Sequence, residues 1–93
     1  MRTAASVAPE LVLRHFGRRV AEVRVERGMT QEQLAEKAEV SARYIQMVES
    51  GEENLSIKKA ARLSNVLAVP LASLFSRPTG KPSRIPTKRR RRK

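Results

Sequence analysis

A closely spaced series of helix stop and start signals divides this chain into short segments, and no other feature constrains its fold as strongly. Gly28 is followed by Thr30, the stretch opened by Ser41 closes at Gly51, and Ser56 opens the next. Glycine enters the left-handed conformation that ends a helix without steric penalty. A Ser or Thr hydroxyl accepts a hydrogen bond from an amide that the first helical turn leaves unpaired. Gln33 stands three residues after Thr30, the spacing of a capping box. A chain cut this way reads as a succession of short helices.

Apolar residues recur at helical spacing between these signals. Leu13, Phe16, Val20 and Val23 predict a helix over 10–27, with Arg14, Arg18, Arg19, Glu22 and Glu26 on its other sides. A second helix is expected over 31–38 with Leu34, Ala35 and Ala38 inward, and a third over 42–50 with Ile45 and Val48 inward. Ser56 then caps a fourth, whose apolar face is Ile57, Ala60, Ala61, Leu63 or Ser64, and Leu67. Pro70 is placed as the first residue of a fifth helix containing Leu71, Leu74 and Phe75. The fold class predicted is all-α, with five helices.

Ninety-three residues allow one small domain, and the absence of cysteine removes disulfides and thiolate metal sites as supports. The longest apolar stretch, Val66 to Val69, ends at Pro70, far short of the ~20 residues that cross a bilayer. The first nine residues read as a flexible N-terminus without the apolar core of a signal peptide, so a cytoplasmic or nucleoid-associated location is expected. The net charge of +11 is unevenly placed. Residues 77–93 hold nine Lys or Arg and no acid, ending in Lys88, Arg89, Arg90, Arg91, Arg92 and Lys93. Three prolines there and the lack of an apolar face predict a disordered basic tail. Residues 30–53 carry six glutamates against Lys37 and Arg43. The high isoelectric point therefore belongs to the tail and says nothing about the fold of 10–76.

Two short helices joined by a tight turn have a physical use. One crosses a phosphate backbone while the other lies in the major groove of a duplex and offers side chains to base edges. The crossing needs a small residue, an apolar residue after the turn and apolar anchors beneath the second helix. Leu34, Ala35, Val40, Ile45 and Val48 supply them over about 31–50. His15 has no second histidine, cysteine or aspartate to join it in a metal site or a catalytic triad, so no enzyme and no cofactor are expected.

The run Arg24 to Lys37 (RVERGMTQEQLAEK), with Val40-Ser41, Tyr44-Ile45 and Glu49-Ser50-Gly51, resembles the Cro/repressor-type helix-turn-helix family, also called xenobiotic-response-element-like regulators. The resemblance extends from about Phe16 to Phe75, and the Leu55-Ser56-Ile57 entry to the fourth helix looks most like restriction-modification controller proteins. It implies a lambda-repressor-like fold and binding to double-stranded DNA. It implies that Gln31 bonds a phosphate and braces the recognition helix. Ala42, Arg43, Gln46 and Met47 would face bases, with Arg43 suited to two bonds on guanine and Gln46 to adenine or a phosphate. Tyr44, Ser50, Lys58 and Lys59 would meet phosphates, and the tail would add phosphate contacts that read no sequence. Arg24 and Glu49 would form a structural ion pair. Glu39 departs from the family, which often places glycine in that turn.

One recognition helix reads too few base pairs for specificity in a genome. A homodimer on an inverted repeat is the expected remedy, with Val66, Val69, Leu71, Leu74 and Phe75 as candidate interface residues. Repression and activation stay open, with RNA polymerase as a further partner in either. Two other readings remain at this point: an antitoxin that sequesters a toxin partner and represses its own operon, and a non-specific nucleic-acid binder driven by the tail.

Overall fold

A computed structural model describes residues 8–76 and 78; the tail cations 88–93 lie outside them. The described chain contains five helices: α1 (Pro9–Glu26), α2 (Gln31–Ala38), α3 (Ala42–Ser50), α4 (Ile57–Leu67) and α5 (Leu71–Leu74). The helix expected over 10–27 begins one residue early, at Pro9, because proline suits a first turn whose amides have no helical partner anyway. It closes through Gly28, whose φ is +72°. Gly28 N–H donates to the Val25 carbonyl (2.9 Å) and Met29 N–H to that of Arg24 (3.1 Å), which satisfies two terminal acceptors.

The predicted caps form. Thr30 Oγ1 accepts from Gln33 N–H at 3.0 Å while Gln33 Oε1 accepts from Thr30 N–H at 2.8 Å, a reciprocal capping box. Ser41 and Ser56 cap α3 and α4 by accepting from the amides of Tyr44 and Lys59. Pro70 differs from expectation. It stands just outside α5 with ψ of 142°, so the single turn starts at Leu71, and the Pro70 carbonyl accepts from Ser73 N–H.

The next three helices all end on a left-handed residue, but only one of these is glycine. Gly51 (φ +82°) closes α3, whereas Glu39 (φ +62°) closes α2 and Ala68 (φ +60°) closes α4. This conformation costs a residue with a Cβ ~1–2 kcal/mol. Replacing Glu39 with glycine should therefore raise stability by ~0.5–1 kcal/mol, part of the relief being lost to the freer unfolded chain. Thermal unfolding of E39G would measure it, and a lower midpoint would show that the turn is not strained.

Packing follows the apolar stripes. Phe16, Val20 and Val23 of α1, Leu34, Ala35 and Ala38 of α2, and Ile45 and Val48 of α3 form one core with Ala60, Leu63 and Leu67 of α4 and Leu74 of α5. Helix α3 packs against both α1 and α2, so its inner side is held from two directions. Each fully buried large side chain contributes ~1.5–3 kcal/mol relative to exposure. Ser64 and Leu63 are both buried, so α4 turns a wider face inward than either residue alone would need. Glu22 was expected on an outer side of α1 but is buried, its Oε1 accepting from Arg19 at 3.0 Å.

Candidate nucleic-acid interface

Helix α3 has two unlike sides. Ile45 and Val48 are sunk in the core, whereas Arg43 and Gln46 are exposed, Met47 is half-buried, and Ser50 is exposed one turn further on. Residues 43, 46, 47 and 50 follow the i, i+3, i+4, i+7 spacing of one helical stripe. The outward stripe spans about 10 Å at 1.5 Å rise per residue. Its polar reach rests on Arg43 and Gln46. Ala42 is half-buried and leans on the core, so it turns partly away from the stripe it was expected to join. The backbone carbonyl of Met47 accepts from Ser50 Oγ at 3.1 Å, and that hydroxyl must rotate before it can donate to a phosphate.

What fixes this helix is a small polar cluster at its C-terminal end. Arg24 of α1 makes a two-pronged contact with Glu49 of α3, Nε to Oε2 at 2.7 Å and Nη2 to Oε1 at 3.1 Å. Its remaining arm donates to the Met29 carbonyl at 2.9 Å. Gln31, leading α2, donates from Nε2 to Glu49 Oε1 at 2.9 Å. The glutamate thus ties α1, α2 and α3 together. Arg24 is 5% exposed, so the pair is shielded from water, and its planar fork suits a carboxylate. Gln31 uses one amide hydrogen here and keeps the other, the geometry a bracing residue needs if it also meets a phosphate.

Tyr44 departs from its expected place. Its hydroxyl is buried with no hydrogen-bond partner among the described residues, instead of being offered on the outer side. The Lys59 ammonium lies over the ring, 4.7 Å from its centre. Burial, with a smaller contribution from the charge of Glu53, raises the phenol above its usual pKa and keeps it neutral. Lys58, beside Lys59 at the start of α4, is exposed.

The candidate interface residues fare unevenly. Leu74 is completely buried in the core and cannot form an interface; packing of the α5 turn against α1 and α4 decides this. Val66, Val69 and Leu71 are half-buried against the same core. Phe75 is 44% exposed and stacks on Phe16 with ring centres 4.9 Å apart. Among the described residues, the most exposed large apolar side chain is one that was assigned to the core face of α4: Ile57, at 69%. It lines, with Val12, Leu55 and Phe75, a cleft of about 430 Å³ between α1, the α3–α4 loop and α5.

Gly17 is a site residue that the sequence reading passed over. A Cβ there would sit 2.0 Å from the Val48 carbonyl oxygen and 2.9 Å from that of Glu49. Helix α1 therefore lies directly on the backbone of α3, and the signal was a glycine inside an otherwise regular apolar helix face.

A family model described as helix-turn-helix matches residues 20–74. The chain belongs to the helix-turn-helix family of DNA-binding transcription regulators. Among solved structures, it is similar to the restriction-modification controller protein C.AhdI from Aeromonas hydrophila. They are 33% identical, with a TM-score of 0.66 over 68% of this chain and 96% of that one. It is also similar to the biofilm regulator SinR in complex with DNA, with 34% identity and a TM-score of 0.62 over 66% and 98% of the two chains. A second controller protein, C.Esp1396I, matches with 31% identity and a TM-score of 0.64 over 69% and 81%. No curated protein sequence matches the chain. Among the described residues, no group of His, Cys, Asp and Glu converges as a metal site, and no helix is long and apolar enough to cross a membrane.

Proposed function

We propose that the protein is a sequence-specific regulator of transcription that binds double-stranded DNA as a homodimer, in the manner of a restriction-modification controller, in the cytoplasm. The observation that carries this reading is the outward stripe of α3, on which Arg43 and Gln46 stand exposed over a helix clamped by Ile45, Val48 and the Arg24–Glu49–Gln31 cluster. A rigid helix with free polar side chains on one side is what groove reading requires. The similarity to two controller proteins and to SinR bound to DNA supports the same conclusion. Gln31, Lys58 and Lys59 take the flanking phosphates, while Ser50 joins only after its hydroxyl rotates and Tyr44 only after its ring swings out from beneath Lys59. Met47 and Ala42 supply at most apolar contact with a thymine methyl. The cationic tail adds attachment that strengthens binding on any sequence and makes it sensitive to salt.

The dimer surface keeps Val66, Val69, Leu71 and Phe75, loses Leu74 and gains Ile57. Two copies related by a twofold axis place two α3 helices in successive major grooves about 34 Å apart. Selection from a pool of random duplexes, followed by footprinting, should therefore recover an inverted repeat with half-sites one helical turn apart. Recovery of no common sequence would remove the specific-regulator reading and leave a general nucleic-acid binder.

Arg43→Ala should weaken binding to the selected duplex by ~1–3 kcal/mol and relax preference at one base position per half-site. Titrations against single-base variants of that duplex measure this. An equal loss on every sequence would make Arg43 a phosphate contact instead.

A further inference from the structure

The segment that carries the outward stripe is itself acidic. Residues 30–53 hold six glutamates against two cations, so a duplex meeting this surface needs positive charge from neighbouring elements. Lys58 and Lys59 provide it from α4. Helix α1 also crosses the C-terminal end of α3, along an edge marked by three contacts. Arg24 meets Glu49, Gly17 meets the carbonyls of Val48 and Glu49, and Arg14 meets Gly51, where a Cβ would lie 2.5 Å from Arg14 Cγ. Arg14 is thus the residue of α1 beside the point where the chain leaves α3, next to Ser50. It is exposed, as is Arg18 one turn along α1, and neither has a hydrogen-bond or ion-pair partner among the described residues. Both precede residue 20, where the family match begins.

We propose that Arg14, supported by Arg18, grips the DNA phosphate backbone beside the C-terminal end of α3, a second anchoring site for the duplex on α1. This rests on the DNA-binding reading above. Carbon atoms of the Arg14 stem pack on Gly51, which holds the base of the side chain while leaving its guanidinium free to reach outward. A guanidinium with its donors unspent suits a phosphate oxygen pair. The competing role is structural: a cation near the last carbonyls of α3 complements that helix's negative end.

The test uses the full chain, its Arg14→Gln variant and its Arg14→Lys variant. Each is titrated by fluorescence anisotropy over a range of salt concentrations against duplexes selected by the wild-type chain and against the unselected pool. Gln keeps the packed stem, and thermal unfolding confirms that each variant is folded. Arg14→Gln is expected to weaken both kinds of duplex by the same factor and to lower the slope of log affinity against log salt by ~0.9 per lost phosphate contact. Arg14→Lys should keep the slope. A slope unchanged in folded Arg14→Gln, or a loss confined to one sequence, overturns the anchoring role and leaves the DNA-binding reading standing. A wild-type chain that binds neither duplex overturns both.

Discussion

Glu49→Ala is expected to destabilise the folded protein by ~3–5 kcal/mol, because it leaves the Arg24 guanidinium buried and deprived of its counter-charge. Arg24 would retain only the Met29 carbonyl, and Gln31 would lose the oxygen it bonds across to α3. Domains of this size have total stabilities of ~5–15 kcal/mol, so the variant should unfold tens of degrees lower or be only partly folded at room temperature. The measurement is thermal and urea unfolding followed by circular dichroism, beside a double variant in which Arg24→Met and Glu49→Leu remove both charges together. Replacing both members of a buried pair by apolar residues of similar volume is often neutral. The double variant should therefore regain much of the lost stability while giving up the Gln31 brace. If E49A loses less than about 1 kcal/mol, the pair is no more than a surface ion pair and does not hold α3.

Gly17→Ala should produce the second large effect. On an isolated helix this change favours folding by ~1 kcal/mol, since alanine is the better helix former. Here the added methyl would lie 2.0 Å from the Val48 carbonyl oxygen, a backbone atom of α3 that cannot swing aside. Helix α1 must lift away, carrying Phe16, Val20 and Arg24 out of register with their partners. Overpacking of this kind costs ~1–3 kcal/mol and more where the obstacle is backbone. DNA affinity should fall as well, because the tilt of α3 is set by the helix resting on it. A G17A variant as stable as the wild type would show that α1 and α3 are further apart than the structure places them.

Both effects come from a contact made across helices, and that separates what was legible in the sequence from what was not. Helix boundaries were legible because caps are local: Thr30, Ser41 and Ser56 bond amides within their own first turns. The inward faces of α2 and α3 were legible because apolar periodicity is a property of one helix at a time. Arg24 and Glu49 were paired only by resemblance to a family, since 25 residues separate them and no local rule joins them.

The departures share a physical cause. Leu74 and Ile57 exchanged their expected places because an apolar residue on a short helix is buried only if another element covers it. The α5 turn packs down on the core, whereas none of the described residues covers the first residue of α4. Helical spacing puts Glu22 off the apolar stripe of α1, but Arg19 supplies a partner that lets it sit at 4% exposure. Tyr44 was expected to reach outward, yet its ring lies beneath Lys59 with the hydroxyl enclosed. Glu39 is the reverse case. The sequence flagged it as a costly residue for the turn, and the chain takes the left-handed conformation there despite the cost, because the contacts of α2 and α3 outweigh a local strain.

Local order in the residues was enough to settle that this protein is a stack of short capped helices, which faces of α2 and α3 turn inward, and that Arg43 and Gln46 are left outward on the third helix. These follow from hydrogen bonds and periodicities that operate within a few positions of one another. Tertiary structure alone decided how closely α1 approaches α3 at Gly17, which apolar side chains remain uncovered, and that Glu49 joins three helices at one point. Such outcomes depend on distances between segments far apart in the chain, and these exist only once the helices have packed.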